Sequence, residues 1–525
     1  MNSLIKPLNE QYMEYLRDES RTVGMADSIS FPVNEAEIIS ILAELYQSAT
    51  PLTLQGARTG LAAAAVPFQG HVMNLSRMNK VIGCRRDETG RIYFTVQPGV
   101  ALSEFKKMIE KKQFATHGWD AASLQAYTAF TKAPRQFFAP DPTEDSATIG
   151  GMTACNASGA RTFLYGPIRN HISAIRMVLA DGRIVALRRG EVFAQGRQLS
   201  LPLQNNDSLE LNLPTYRMPQ TKSASGYYIE DNMDAIDLLI GSDGTLGVIT
   251  AIELLLMEHP KVIWGVSCFF DHEDVAVQFT IQLRSQVQHL AAMEAFDADA
   301  LELLRQQKRQ SSAFARLPDV PESYHYCIYT ELHCEDAAEA LLQLQQIGAV
   351  LQQCGGSKEH TWVARTEADL TQLLFFRHAV PESANMLIDR RKQNYPMITK
   401  LGTDMSVPDE KLAEVVALYR RGLRENQLQS AVWGHIGNNH LHVNILPRNE
   451  EDFLKGKALY QDWAAEVCRM GGAVAAEHGV GKLKTKMLLT MYGPKHIAEM
   501  AALKKVFDPK NLLGNGNLFI AEGGK

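Results

Sequence analysis

Three glycine-rich loops, the first and third joined to a β-like run, fall within the first 250 residues: "LTLQGARTGLAAAAVP" (52–67), "ATIGGMTACNASGARTFLYG" (147–166) and "IGSDGTLGVIT" (240–250). Such loops let a backbone approach something large and flat. In the first, Gly56, Arg58, Thr59 and Gly60 can offer N–H groups and a guanidinium to a pyrophosphate. In the second, Gly150, Gly151, Ala154, Ala157, Ser158 and Gly159 are all small enough for a bulky planar ligand to lie against the chain. The first does not have the GxGxxG spacing of a dinucleotide fingerprint. Any one of them could be a tight turn, but three together favour one large, phosphate-bearing cofactor.

A chain of 525 residues exceeds a single compact core, so more than one domain is expected. Residues 30–255 mix β-like runs such as "AIRMVLADGRIVAL" with helix-like stretches such as "VNEAEIISILAELYQSA". Asp181-Gly182 reads as a hairpin turn. The polar segment 190–235 reads as a surface loop or insertion. From Pro260 the order becomes strand-like "VIWGVSCFF", helix-like "HEDVAVQFTIQLRSQ", strand-like "YHYCIYTEL" and helix-like "EDAAEALLQLQQIGAVLQQCG", which predicts an α+β unit of ferredoxin-like type. The boundaries read as 1–258, 259–470 and 471–525.

The sharpest local signal is "VWGHIGNNHLHVNIL" (432–446). If Asn438-Asn439 is a two-residue hairpin turn, His435 faces His442 and Trp433 faces Asn444 across the strands. Side chains alternate, so Ile436, Leu441, Val443 and Ile445 point into a core. Two facing imidazoles suit one divalent metal, although histidines held by hydrogen bonds would explain them too. Downstream, "GGAVAAEHGVGKLK" offers Glu477 as a third ligand and His478 as an unligated general base. The same stretch is not a Walker loop, and no HExxH motif occurs.

Net charge is −6, and no long basic run is present, so nucleic acid is not an expected partner. The seven cysteines are scattered without CxxC spacing, which favours free thiols and argues against an iron–sulfur cluster in this chain. The N-terminus lacks a secretory h-region, and no apolar run reaches about 18 residues. A cytoplasmic location is expected, with peripheral contact at the inner membrane face open to it.

Taken in order, "QGARTGLAAAAVP", "DPTEDSATIGGMTACNASGARTFLYGPIRNHI", "GSDGTLGVIT", "GHIGNNHLH", "EHGVG" and "FDPKNLLGNGNLF" resemble the FAD-linked oxidases of the vanillyl-alcohol oxidase superfamily, from about residue 30 to the end. The branch they look most like contains D-lactate, glycolate and D-2-hydroxyglutarate dehydrogenases. The resemblance implies an α+β fold: an FAD-binding domain of two subdomains, a substrate domain, and a C-terminal segment returning to the first. It implies that Gly56, Arg58, Thr59 and Gly60 hold the pyrophosphate. Gly150, Gly151, Asn156 and Gly159 would line the flavin, and Gly244 and Ile249 would lie near the nucleotide. Loop 55–67 has no histidine, so FAD would be held non-covalently.

The family's metal motif, GHxGDGNxH, is matched at His435 and His442, but Asn438-Asn439-His440 replaces its Asp-Gly-Asn. This adds an imidazole, His440, on the metal-facing side. By resemblance, His435, His442 and Glu477 would bind Zn²⁺ or Mn²⁺, His478 would be the base, and Arg377, Lys400 and Asn444 would contact the substrate. The implied reaction is oxidation of a D-2-hydroxy acid. The electrons would pass to a quinone, an electron-transfer flavoprotein or a separate iron–sulfur subunit, and a homodimer is compatible with the family. The alternatives are an FAD-binding oxidase of another substrate class and a non-catalytic flavoprotein subunit of a redox complex.

Overall fold

The computed structural model describes residues 3–520, of which 38% of the chain is helix and 22% strand. Helices and strands are arranged around three main sheets, giving an α+β architecture.

The first sheet holds β1 (Lys6–Pro7), β2 (Ser28–Ser30), β3 (Leu52–Gln55) and β4 (His71–Asn74) in the order β1-β2-β4-β3. β4 runs parallel to both β2 and β3. The crossover from β2 to β3 is helix α1 (Glu35–Ser48). Asn34 caps its start by accepting from the Glu37 N–H, and Ile38, Ile41, Leu42 and Leu45 form its buried stripe.

The second sheet contains β5 (Val81–Arg86), β6 (Ile92–Val96), β7 (Ile172–Val178), β8 (Ile184–Arg188) and β9 (Val248–Leu255), in the order β5-β6-β9-β7-β8, all antiparallel. Asp181-Gly182 does sit in the β7–β8 turn, closed by the Leu179 N–H donating to the Arg183 carbonyl at 2.8 Å. Helix α2 (Ile149–Cys155) packs beneath this sheet, with Ile149 and Met152 in its core.

The third sheet has seven strands. Its first part is the expected ferredoxin-like unit: β10 (Val262–Phe270), helix α3 (Glu273–Gln286), β11 (Leu290–Phe296), β12 (Tyr326–Cys334), helix α4 (Ala337–Gln353) and β13 (Thr361–Ala364). The order β13-β10-β12-β11 is wholly antiparallel. The sheet continues past β11 with β15 (Ser430–His435), β16 (His440–Ile445) and the short β14 (Leu401–Gly402), in the order β15-β16-β14. Helices α3 and α4 cover one face. The long helix α5 (Glu367–Lys392) covers the other, burying Phe376, Ala379, Val380 and Ile388 against Phe296 and Trp433.

The segment 190–235 corrects the expectation of a surface loop. It forms a hairpin, Gln198–Pro202 with Ser208–Asn212, that buries Leu199, Leu201, Leu209 and Leu211. Beyond it the chain turns inward. Lys222 becomes buried, Ser225 Oγ donates to the Ala475 carbonyl, and the Ala224 N–H donates to the same carbonyl. The alternating leucines of the hairpin were the signal of half-buried strands, masked by the polar residues between them. At the far end, Leu513 bridges Leu52 alongside β3. No helix among the described residues is long and apolar enough to cross a membrane.

Candidate metal and cofactor site

The register of the histidine hairpin differs from the two-residue turn predicted. His435 faces His440, Gly434 faces Leu441, and Trp433 faces His442. Four residues, Ile436 to Asn439, make the turn, with a 3-10 segment Ile436–Asn438 and Asn439 in the left-handed region at φ 52°. The turn is held from outside. Arg284 of α3 donates to the Ile436 carbonyl at 2.6 Å and to the Asn439 side chain, and Asn439 Nδ2 donates to Asp409 at 2.7 Å. A slip of two residues preserves side-chain parity, so His435, His440 and His442 still share one face. Gly434 has φ +124°, and a Cβ there would meet the His442 ring at 2.8 Å, so only glycine lets that imidazole fold over the strand.

Glu477 joins the three histidines. The ligand atoms of His435, His440, His442 and Glu477 all lie within 4.8 Å of one another. His435 Nε2 stands 3.1 Å from Glu477 Oε2, and His440 Nδ1 stands 3.5 Å from the same oxygen. His442 has Nδ1 2.9 Å from the Thr403 carbonyl, which makes Nδ1 the N–H and leaves Nε2 with the lone pair. Glu294 on β11 holds His435 from the other side, with Oε1 2.7 Å from Nδ1. These are the carboxylate and carbonyl partners that orient metal-binding imidazoles.

The charges within the cluster are interdependent. Burial pushes the Glu477 carboxyl up, but Lys222 and His435 outweigh it and hold the pKa well below the ordinary range. Burial lowers His442, with His435 adding to it, and takes it to about 4. Burial and neighbouring His442 push His440 well below its usual value. His435 moves the other way: burial opposes its charge, but Glu294 wins and raises it. Neutral His440 and His442 beside an ionised Glu477 are in the protonation states a divalent cation requires. The donor set therefore fits a metal ion.

Asp404 organises the loop that carries Glu477 and His478. Its carboxylate accepts from the Glu477 and His478 N–H groups, each at 3.1 Å, and pairs with Lys484. His478 Nδ1 lies 3.5 Å from Asp404 Oδ2, and its ring stacks at 5.7 Å from that of His442. Gly481 has φ +50°, and a Cβ there would strike the Ala62 carbonyl, so this loop lies directly on the first glycine loop. Val480 and Gly481 donate to Asp243 of the third glycine loop at 3.2 and 2.9 Å. Asp243 in turn donates from its N–H to the Ala154 carbonyl of the second. All three glycine-rich loops thus converge beside the histidine cluster.

Within this convergence, the backbone N–H groups of residues 57–59 and 62–65, all buried or half-buried, make no hydrogen bond to the described chain. Half-buried amides are normally paired, so a run of free donors suits an anionic group such as a pyrophosphate. Gly56 packs on Thr148, the space beside Gly60 is open, and Thr59 is half-buried. Arg58 turns away: it donates to the Glu14 carbonyl and lies over the Tyr15 ring at 4.3 Å. Gly150 packs on Pro98, Gly151 on Thr148 and Gly159 on the Asp141 backbone, and Asn156 lies against Gly241. Gly244 borders Leu54, and Ile249 is buried in β9 opposite Met177.

Of the residues predicted to contact substrate, Arg377 projects from α5 with Nε 3.4 Å from Glu294 Oε2. Asn444 is buried beside His442, donating to its carbonyl at 2.9 Å. Lys400 Nζ lies 5.3 Å above the Trp433 ring, and burial pushes its ammonium down to about 8. Three residues of the site were missed: Glu294, Asp404 and Lys222, whose Nζ lies 3.2 Å from Glu477 Oε2. Only an acidic residue inside the apolar run "LAAMEAF" hinted at Glu294.

Comparison with known proteins decides the family. Residues 259–518 match the model for FAD linked oxidases, C-terminal domain, and residues 26–129 and 121–188 match the FAD binding domain. The chain belongs to the FAD-linked oxidases of vanillyl-alcohol oxidase type. It is 25% identical over 522 residues to a D-lactate dehydrogenase of Anaerostipes hadrus, covering 96% of this chain and 92% of that one. It is 27% identical over 499 residues to a D-2-hydroxyglutarate dehydrogenase of Xanthomonas citri pv. viticola, covering 94% and 89%. The fold is also that of the 4-ethylphenol oxidase from Gulosibacter chungangensis, with a TM-score of 0.65 at 14% identity over 98% of this FAD-linked oxidase and 94% of the other chain.

Proposed function

We propose that this FAD-linked oxidase is a dehydrogenase that converts a D-2-hydroxy acid to the 2-oxo acid. The observation that carries the reading is the shared anchor at Glu294. One oxygen holds His435 of the cluster at 2.7 Å, and the other lies 3.4 Å from Arg377. A cation for a carboxylate and a cluster for a hydroxyl are thus held on one buried unit. A 2-hydroxy acid carries those two groups on adjacent carbons. The names of the relatives point to the same substrate class.

In this reading Arg377 binds the substrate carboxylate. Its Nη groups donate to no residue among those described, so the fork is available for two parallel hydrogen bonds. The same reading assigns Asn444, bonded to the His442 carbonyl, and Lys400, over the Trp433 ring, to the substrate. His478 Nδ1 faces Asp404, which leaves Nε2 to accept the hydroxyl proton. When bound, non-covalent FAD supplies the two-electron acceptor for the C2 hydrogen, and a Zn²⁺ or Mn²⁺ ion supplies Lewis acidity at the hydroxyl. Burial of His435, His440 and Glu477 excludes water from the proton transfer.

The electrons leave for an acceptor outside the chain, because the seven cysteines are free and ungrouped. A quinone, an electron-transfer flavoprotein or a separate iron–sulfur subunit would serve.

The test is the visible spectrum of the FAD-loaded protein under anaerobic conditions. D-lactate, glycolate, D-2-hydroxyglutarate and larger D-2-hydroxy acids are added in turn, with L-enantiomers as controls. Bleaching of the oxidised flavin band by one D-acid is expected. A flavin band that none of them bleaches, with Zn²⁺ or Mn²⁺ supplied, would overturn the reading.

A further inference from the structure

His440 is one of three residues at which the hairpin departs from the motif it otherwise resembles, with Asn438 and Asn439, and it is wholly buried with a fully enclosed side chain. A buried imidazole normally has both ring nitrogens satisfied. Neither nitrogen of His440 makes a hydrogen bond. Yet both are aimed. Nδ1 points at Glu477 Oε2, 3.5 Å away, and Nε2 lies 3.1 Å from Asp404 Oδ1, outside good hydrogen-bond alignment. Its ring centre is 4.4 Å from that of His442 and 5.4 Å from that of His435. An orphaned histidine with its Nδ1 lone pair facing the cluster and a carboxylate behind its Nε2 has the arrangement of a metal ligand with its outer carboxylate.

We propose that His440 is a fourth protein ligand, through Nδ1, so that three imidazoles and one carboxylate hold the divalent ion. The inference rests on the metal-assisted reading above and specifies its ligand set. Ligand atoms about 2 Å from one ion lie within about 4 Å of each other. The four donors here lie within 4.8 Å, so a sub-ångström contraction closes the set. A third imidazole makes the site softer, which favours Zn²⁺ and its neighbours in the transition series over Mn²⁺ and Mg²⁺. It also leaves one fewer position for the substrate. Asp404 then has two duties: it sits behind His440 at Nε2 and accepts the backbone N–H groups of Glu477 and His478.

The experiment compares FAD-loaded wild type with His440→Asn and His440→Gln. Each is stripped with a chelator and titrated with Zn²⁺ and Mn²⁺ against a chromophoric competitor. The Co²⁺-loaded forms are compared by visible absorption. The expected result is one tight Zn²⁺ per wild-type chain. The variants should lose at least about 10–100-fold in Zn²⁺ affinity, the scale on which even the outer partners of metal ligands act. Their Co²⁺ bands should also change, with the flavin spectrum unaltered. Equal affinity and an identical Co²⁺ spectrum in a flavin-bound variant would overturn the fourth ligand while leaving the metal reading intact. A wild type that binds no divalent ion would overturn the metal reading itself, and this inference with it. If neither variant retains FAD, pulsed EPR of Cu²⁺-loaded wild type counts the imidazoles directly: three support the proposal and two refute it.

Discussion

His435 and Glu294 form a buried pair, Nδ1 to Oε1 at 2.7 Å, across the seam where the histidine hairpin joins the ferredoxin-like sheet. Ala295 pairs with Gly434 and Phe296 with Trp433, and the next position in that antiparallel register sets Glu294 across from His435. Burial pushes the Glu294 carboxyl up, but His435 and Arg377 hold it below the usual range. Glu294 therefore holds His435 and Arg377 on one carboxylate.

Replacing Glu294 with Gln keeps the shape and removes the charge. Zn²⁺ affinity should fall about 10–100-fold, as for other outer-sphere partners of metal-bound histidine. KM for the substrate should rise as well, because Arg377 loses the carboxylate charge 3.4 Å from its Nε. Competition titration and steady-state kinetics measure the two effects. A change in one without the other would show that the carboxylate does not couple them.

His478→Gln should lower the anaerobic rate of flavin reduction by about 10²–10⁴-fold, the usual contribution of a positioned base. Substrate Kd and metal content should stay near wild type, because the Nδ1 contact to Asp404 is peripheral to the ligand set. Stopped-flow absorbance across pH provides the check. An unchanged rate would remove the base assignment.

Lys222 places a buried ammonium 3.2 Å from the oxygen of Glu477 that faces His435 and His440. Like charges about 5 Å apart cost several kcal/mol even at an effective dielectric near 20. Lys222→Met should therefore tighten Zn²⁺ binding at least about tenfold, since each factor of ten is about 1.4 kcal/mol. Weaker binding in this variant would mean that Lys222 orders Glu477 more than it competes with the ion.

His71 lies at the centre of the first sheet, wholly buried between Ser28 Oγ at 2.8 Å and Ser30 Oγ at 2.7 Å. Burial pushes its pKa from 6.5 down to about 4. The unfolded chain binds this proton more readily, so the contribution to stability is complete above pH 6.5 and is lost as pH falls toward 4. The size is about 3 kcal/mol at about 1.4 kcal/mol per pKa unit. Urea unfolding at pH 7 and pH 5 should show a drop in the wild type that is smaller in His71→Asn. Equal drops in both would assign the acid sensitivity to other groups.

Much of this architecture is local enough to read along the chain. The stripe Ile38, Ile41, Leu42 and Leu45 specifies helix α1, and the βαβ spacing after Pro260 specifies the ferredoxin-like unit. The hairpin register was misread because Arg284 and Asp409, both distant in sequence, pull Asn439 into a four-residue turn. Segment 190–235 was misread because its buried leucines alternate with polar residues on a short hairpin.

The candidate site divides along the same line. Parity along a strand puts His435, His440 and His442 on one face under either register, and Glu477-His478 stand together by covalent adjacency. The sequence by itself therefore determined the three imidazoles, the acid beside them and the glycine loops. Only the tertiary structure decided that Glu294, Asp404 and Lys222 complete the cluster. Each arrives from a different strand or loop, and nothing in a residue's own neighbourhood states which buried charge it will meet. A buried carboxylate or ammonium is tolerated only where the fold supplies its partners, and that is a property of packing rather than of local sequence.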